Sequence, residues 1–233
     1  MLIRFEEFKT NLSQIRAKIA DACKKAGRTE ESVRLLPVTK NHPVDVARYS
    51  WDAGLRAVGE NRVQEALGKM DDVDPALSWE LIGPLQSNKA KRVAEKFGRV
   101  QTVDRAKIAK VLDRHAGEAG RVLPVLLQIN AGRDPAKSGA ELEDAPTLLE
   151  AALECSNLRV DGLMTIGALS DDLDVARRCF ASLRECRDEL SERFGVALPE
   201  LSMGMSGDME EAILEGSTMV RVGTALFGRR VYA

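Results

Sequence analysis

Lys40 closes the apolar run Arg34-Leu35-Leu36-Pro37-Val38-Thr39-Lys40 and stands where a strand hands over to the loop Asn41-His42-Pro43. An amine at the carboxyl end of a strand is the usual placement of a Schiff-base lysine in a barrel enzyme, because its nitrogen then reaches a carbonyl group held over the strand ends. A lysine that ends a strand is more often a solvated cap, so the other strand ends must decide between the two readings. They are polar or glycine-rich: Gly59-Glu60-Asn61, Ile82-Gly83-Pro84-Leu85-Gln86-Ser87-Asn88-Lys89, Gln128-Ile129-Asn130, and the stretch Met203 to Asp208.

Two of these ends have the composition of an anion cradle. Ser206-Gly207 and Gly223-Thr224 combine small residues, which let backbone approach closely, with hydroxyl donors, and they fall after the last two strand candidates, where barrels often hold phosphate. Asp208 and Glu210 support the opposite reading, since acids at a helix start satisfy its dipole without any ligand. Arg221 shares one face of the last strand with Met219 and Gly223. A guanidinium inside a barrel strand needs an acceptor, because leaving it unpaired costs several kcal/mol; a carboxylate or a cofactor would serve.

The elements that must position these groups follow a simple rhythm. Phe5, Phe8, Leu12, Ile15, Ile19 and Cys23 alternate by threes and fours, one apolar stripe on a helix that stops at Gly27. Strand patterns then recur at residues 33–40, 57–60, 79–85, 100–103, 122–130, 159–166, 201–206 and 219–227, with helical patterns between them, among them 140–155 and 172–194. A helix is expected over 208–214, stopped by Gly216. Eight strand–helix units after one leading helix predict a single (β/α)8 TIM barrel of the α/β class with an extra N-terminal helix. The expected organisation is one domain over 1–233, with the leading helix at 1–27 and the barrel at 33–228. The count depends on 57–60, the weakest of the strands.

Lys and Arg total 34 against 36 Asp and Glu, a net charge of -2 with a pI near 5.9, so nucleic acid is not an expected partner. No apolar stretch approaches a membrane span and the first residues lack a signal pattern, which predicts a cytoplasmic protein without membrane contact. Cys23, Cys155, Cys179 and Cys186 form no CxxC pair, and with only His42 and His115 available no metal site is expected. Trp51 and Trp79 are expected to pack.

The chain resembles the pyridoxal phosphate homeostasis proteins, relatives of the alanine racemase N-terminal barrel. The resemblance runs through Leu36-Pro37-Val38-Thr39-Lys40, Val58-Gly59-Glu60-Asn61, residues 82–89, Lys137-Ser138-Gly139, Gly162-Leu163-Met164, residues 201–209 and residues 216–228, essentially the whole chain. It implies that Lys40 carries pyridoxal 5′-phosphate (PLP) as a Schiff base, that Ser206, Gly223 and Thr224 hold the phosphate, that Arg221 faces the pyridine nitrogen and that Asn61 lines the pocket. Lys137 matches a secondary cofactor contact. The family more often has Ser at the position of Thr39 and Thr-Lys at Asn41-His42; His42 reads as a turn residue beside Pro43.

An arginine at the ring nitrogen disfavours the pyridinium that carbanion chemistry uses as an electron sink. Racemisation also needs a second base, in the racemases a tyrosine from a second domain; this chain ends nine residues after Thr224 and offers only Tyr49 and Tyr232. The resemblance therefore implies a carrier that buffers PLP and passes it to PLP-dependent apoenzymes, with little or no turnover and no catalytic residue assigned; a monomer is expected. A small PLP-dependent racemase and a cofactor-free Schiff-base aldolase are the alternatives.

Overall fold

A computed structural model describes residues 3–167 and 172–228. The chain begins with α1 (Phe5–Lys25), followed by β1 (Arg34–Pro37), α2 (Asp45–Asp52), β2 (Ala57–Glu60), α3 (Val63–Met70), β3 (Ser78–Leu81), α4 (Ala90–Lys96) and β4 (Arg99–Val103). It continues through α5 (Ala106–Glu118), β5 (Leu123–Gln128), α6 (Ala145–Leu153), β6 (Leu158–Met164), α7 (Leu173–Phe194), β7 (Glu200–Ser202), α8 (Met209–Leu214), β8 (Met219–Val222) and α9 (Thr224–Phe227). All eight strands are parallel neighbours in one sheet, from β1 through β8 round to β2. A bridge between Val38 and Gly59 joins β1 to β2 and completes the TIM barrel.

The stripe on α1 buries Phe8, Leu12, Ile15, Ile19 and Cys23 against Val220 and Val222 of β8, Met209 and Ile213 of α8, and Leu226 and Phe227 of α9. Gly27 ends this segment at φ 67°, a backbone that side chains resist. The alternation along β8 sends Val220 and Val222 outward to α1 and leaves Met219 with Leu36, Val38 and Ile82 in a separate cluster. Arg221, between them, is 4% exposed.

Strand 57–60 has the bounds expected of it. Several other strands are shorter at their carboxyl ends than the apolar runs suggest. The run 219–227 stops at Val222; both Leu226 and Phe227 donate their N–H to the Gly223 carbonyl at 2.9 Å, so Thr224–Phe227 is a helical turn whose apolar residues pack on α1. β7 stops at Ser202 because Gly204 turns at φ 93°, with a hypothetical Cβ only 2.5 Å from the Ala212 side chain. β3 stops at Leu81, just before Gly83-Pro84. Each early stop turns strand residues into loop or helical turn at the end of the barrel where chemistry is placed.

Trp79 is buried, and Trp51 is half-buried with the Arg56 guanidinium 4.1 Å above its ring. Cys23, Cys155 and Cys179 are buried and Cys186 is half-buried. Tyr49 lies on the outer wall, its ring 5.2 Å from Phe5; Tyr232 lies outside the described residues. Among the described residues no helix is long and apolar enough to cross a membrane.

Candidate functional site

Lys40 follows the last residue of β1 by three positions. The Thr39 N–H still donates across the barrel to the Gly59 carbonyl at 3.0 Å, and the Thr39 carbonyl then accepts from the His42 N–H at 3.2 Å. Asn41, at φ 58°, completes this sharp turn, a backbone that asparagine tolerates better than most residues. Lys40 is thus placed at the apex between strand and turn, half-buried at the carboxyl ends of the strands. His42 packs its ring 5.5 Å from that of Phe227.

A cavity of about 270 Å³ opens at this end of the barrel, and Lys40, Asn61, Ser206, Arg221, Gly223 and Thr224 all line it. Val38, Ile82, Met164 and Ile166 supply its apolar walls. Lys137 is not among the lining residues: it lies in the loop 131–139, half-buried, with its N–H donating to the Asp134 carbonyl at 2.9 Å. That loop is tied down over β5, where Gln128 donates to the Ser138 carbonyl at 2.8 Å and Asn130 to the Asp134 carbonyl at 3.1 Å.

Ser206 and Gly207 come from the loop after β7, Gly223 and Thr224 from the junction of β8 and α9. Asp208 accepts from the Met205 N–H at 2.6 Å and so serves the fold of its own loop. The backbone at Gly223 runs close to β1, where a Cβ would stand 3.2 Å from the Val38 carbonyl oxygen. Small residues at this corner keep N–H groups and hydroxyls accessible to an anion.

Arg221 donates to Ser202 Oγ at 2.7 Å and to the Thr165 carbonyl at 2.8 Å. Both acceptors are uncharged. Burial consequently pulls the guanidinium down to about 10, opposed by the field of Asp208. It remains a cation at neutral pH, held by neutral partners and facing a cavity that also presents Lys40. The expectation of an acceptor is met by a hydroxyl and a carbonyl, with no carboxylate among these contacts.

A larger cavity, about 820 Å³, lies at the opposite end of the barrel and is lined by Arg34, Glu80, Arg99 and Glu200 among others. These four charges are engaged in ion pairs. Arg34 pairs with Glu80 at 2.7 Å, and Arg99 with Asp161 at 2.7 Å and with Glu200. In barrels, charge pairing at the amino ends of the strands maintains the fold and chemistry is placed at the carboxyl ends.

Two groups of supporting residues are not evident from sequence. One is the interior chain Ser202, Gln101 and Glu80 behind Arg221. The other is the trio Glu60, Glu65 and Lys69 beside Lys40. Glu65 and Lys69 stand four apart in a helical pattern, the spacing of an intrahelical ion pair, and that is the one signal the sequence offers. Nothing in the sequence marks Gln101, because register across three strands is what brings it to Ser202.

Residues 10–231 match the family model described as alanine racemase, N-terminal domain. The pyridoxal phosphate homeostasis protein of Aquifex aeolicus is 43% identical over 222 residues, covering 95% of this chain and 97% of that protein. A structure from Bifidobacterium adolescentis, described as an unknown protein, superposes with a TM-score of 0.90 at 36% identity, covering 96% of this chain and 95% of that one. PipY of Synechococcus elongatus, solved with PLP bound, superposes with a TM-score of 0.80 at 38% identity, covering 90% of this chain and all of that one (100%). The chain belongs to the pyridoxal phosphate homeostasis protein family, built on the alanine racemase N-terminal barrel.

Proposed function

We propose that this protein binds pyridoxal 5′-phosphate as a Schiff base on Lys40 and serves intracellular PLP homeostasis, buffering the cofactor in the cytoplasm and delivering it to PLP-dependent apoenzymes. The observation that supports this reading best is the convergence of a lysine amine, a small-residue anion corner and a buried guanidinium on one cavity. The donor set fits the cofactor: an aldehyde calls for an amine, a phosphate for backbone N–H groups and hydroxyls, and a pyridine nitrogen for a hydrogen-bond donor. The PLP-bound PipY structure, at 38% identity, is consistent with this.

In this reading Ser206, Gly223 and Thr224 hold the phosphate, Arg221 donates toward the ring nitrogen, and Asn61 lines the ring. Lys137, which does not line the cavity, is left without a cofactor role in this reading. Bound PLP supplies an electrophilic carbonyl and an aromatic ring that can accept electrons. Arg221 keeps a positive charge where ring protonation would occur, so it weakens the electron-accepting state, and the protein carries the cofactor with little turnover. The whole chain, 1–233, acts as one monomeric domain.

The test is borohydride reduction of the PLP-loaded protein followed by mass spectrometry of its peptides. Cofactor mass on the peptide containing Lys40, with loss of the visible absorption band in Lys40→Ala, is the expected result. A band retained in Lys40→Ala would refute the assignment, and robust amino-acid racemisation by the loaded protein would refute the carrier role.

A further inference from the structure

Lys69 is 7% exposed, and its ammonium makes three contacts. It donates to Glu60 Oε1 at 2.6 Å, to Glu65 Oε1 at 2.8 Å and to the Thr39 carbonyl at 3.0 Å. The same Glu65 oxygen accepts from the Asn41 N–H at 2.5 Å, and Glu60 Oε1 accepts from the Thr39 hydroxyl at 2.9 Å. The residues immediately before and after Lys40 are therefore both gripped by one ion cluster, Thr39 through its carbonyl and hydroxyl and Asn41 through its N–H. The turn then passes through the positive φ of Asn41.

Buried ion clusters are often costlier than a hydrophobic plug of the same size. Glu60 is 0% exposed, and its Oε2 is, among the described residues, the buried side-chain polar atom without a hydrogen-bond partner. Burying a carboxylate with one oxygen unpaired is unfavourable, and apolar replacements of buried ion clusters are often more stable. A cluster that grips the backbone on both sides of one residue, at that cost, has a use in where it puts that residue.

We propose that Lys69, held by Glu60 and Glu65, is a positioning residue for Lys40: it fixes the Thr39–Asn41 backbone and thereby the place of the Lys40 amine in the cavity. The inference rests on Lys40 being the PLP-bearing lysine. It assigns Lys69 no contact with the cofactor.

Lys69→Met removes the ammonium and keeps most of the side-chain volume. Two ligands separate positioning from general loosening. Pyridoxamine 5′-phosphate has the same ring and phosphate but no aldehyde, so its affinity reports the cavity alone. PLP attachment, followed by absorbance, reports the amine. Lys69→Met should bind pyridoxamine 5′-phosphate as wild type does while attaching PLP roughly 10–100-fold more slowly, the scale of loss when a reacting group is left unplaced. Unchanged attachment, or an equal weakening with both ligands, overturns the proposal. If Lys69→Met does not fold, the double variant Lys69→Met with Glu60→Gln, which removes the stranded charge, is read in the same way.

Hydrogen exchange at the Asn41 amide, measured without any ligand, separates this inference from the functional reading. Faster exchange in the variant supports the grip even should wild type attach no PLP at Lys40, and unchanged exchange refutes it.

Discussion

The Arg221 guanidinium and the Ser202 hydroxyl meet at 2.7 Å inside the barrel; the guanidinium can only donate, and a series of hydrogen bonds from the far end of the molecule turns the hydroxyl proton away from it. Glu80 accepts from Arg34 at 2.7 Å and, through its other oxygen, from the Gln101 amide nitrogen at 2.6 Å. A carboxylate can only accept, so the Gln101 carbonyl oxygen must face the other way, and there it takes the Ser202 proton at 2.6 Å. Ser202 is thereby left with lone pairs for Arg221. The charge of Glu80 sets the polarity of the series without touching the guanidinium.

Ser202→Ala should therefore cost about 1–3 kcal/mol of stability, the cost of leaving a buried donor and acceptor unmade. Urea unfolding measures it. In the loaded protein the same change should shift the visible absorption maximum, because Arg221 faces the ring nitrogen in the proposed complex. A stability loss with an unmoved spectrum would disconnect Ser202 from the ring.

The second prediction concerns pH. Burial raises the Glu60 carboxyl above its ordinary 4.5, against the opposing effects of Lys69 and the Thr39 hydroxyl and with the help of Glu65. A folded state that holds a proton the unfolded chain has released gains stability at low pH. That share is full below 4.5 and is lost as pH rises through the folded value. Glu60→Gln removes the titration, so the stability of wild type relative to Glu60→Gln should fall as pH rises from 4.5. The fall should amount to about 1.4 kcal/mol for every tenfold difference in proton affinity between the folded and unfolded states. Unfolding curves for both proteins from about pH 4.5 to 7.5 provide the comparison, roughly the range in which raised native carboxyls titrate. A constant difference would mean that Lys69 fully offsets the burial.

Much of this is legible in sequence, and the reasons are local. The stripe on α1 and the bounds of β2 follow from side-chain period, a property of consecutive residues. Lys40, Asn61, Ser206, Arg221, Gly223 and Thr224 can be singled out because a parallel barrel puts every strand's carboxyl end on one face, so position along each strand is enough to group them. Apolar runs overstate where the strands end. A run such as Ala225-Leu226-Phe227 says that residues are buried, and Leu226 and Phe227 are buried against α1. The Gln101 and Lys69 contacts depend on which strands and turns come together in space, information that no single segment holds.

The third prediction is chemical. Cys186 is half-buried beside Glu189, and burial pushes its thiol up to about 11; burial raises Cys23 and Cys155 as well. At pH 8 the reactive thiolate of Cys186 is then on the order of one part in a thousand. The native protein should react slowly with a thiol-specific disulfide reagent, and all 4 cysteines should react promptly in denaturant. A rapid phase of one equivalent from the native protein would contradict this.

The last prediction contrasts two glycines. At Gly83, just beyond β3, a Cβ would lie 2.2 Å from the Asn61 carbonyl oxygen, a backbone atom with no rotamer by which to yield. Gly83→Ala should therefore force the two strand ends apart, at about 1–3 kcal/mol, the usual scale for overpacking. Because Asn61 lines the cavity, affinity for PLP should fall with it. Gly68, in the last turn of α3, is exposed, and a methyl group added there would meet nothing within 4 Å. Its backbone is already helical, so Gly68→Ala should stabilise by roughly 0.5–1 kcal/mol through the lower entropy of the unfolded chain, with PLP affinity unchanged. Thermal unfolding and PLP titration of both variants decide the matter. Equal effects from the two substitutions would show that the approach of Gly83 to Asn61 does not constrain the site.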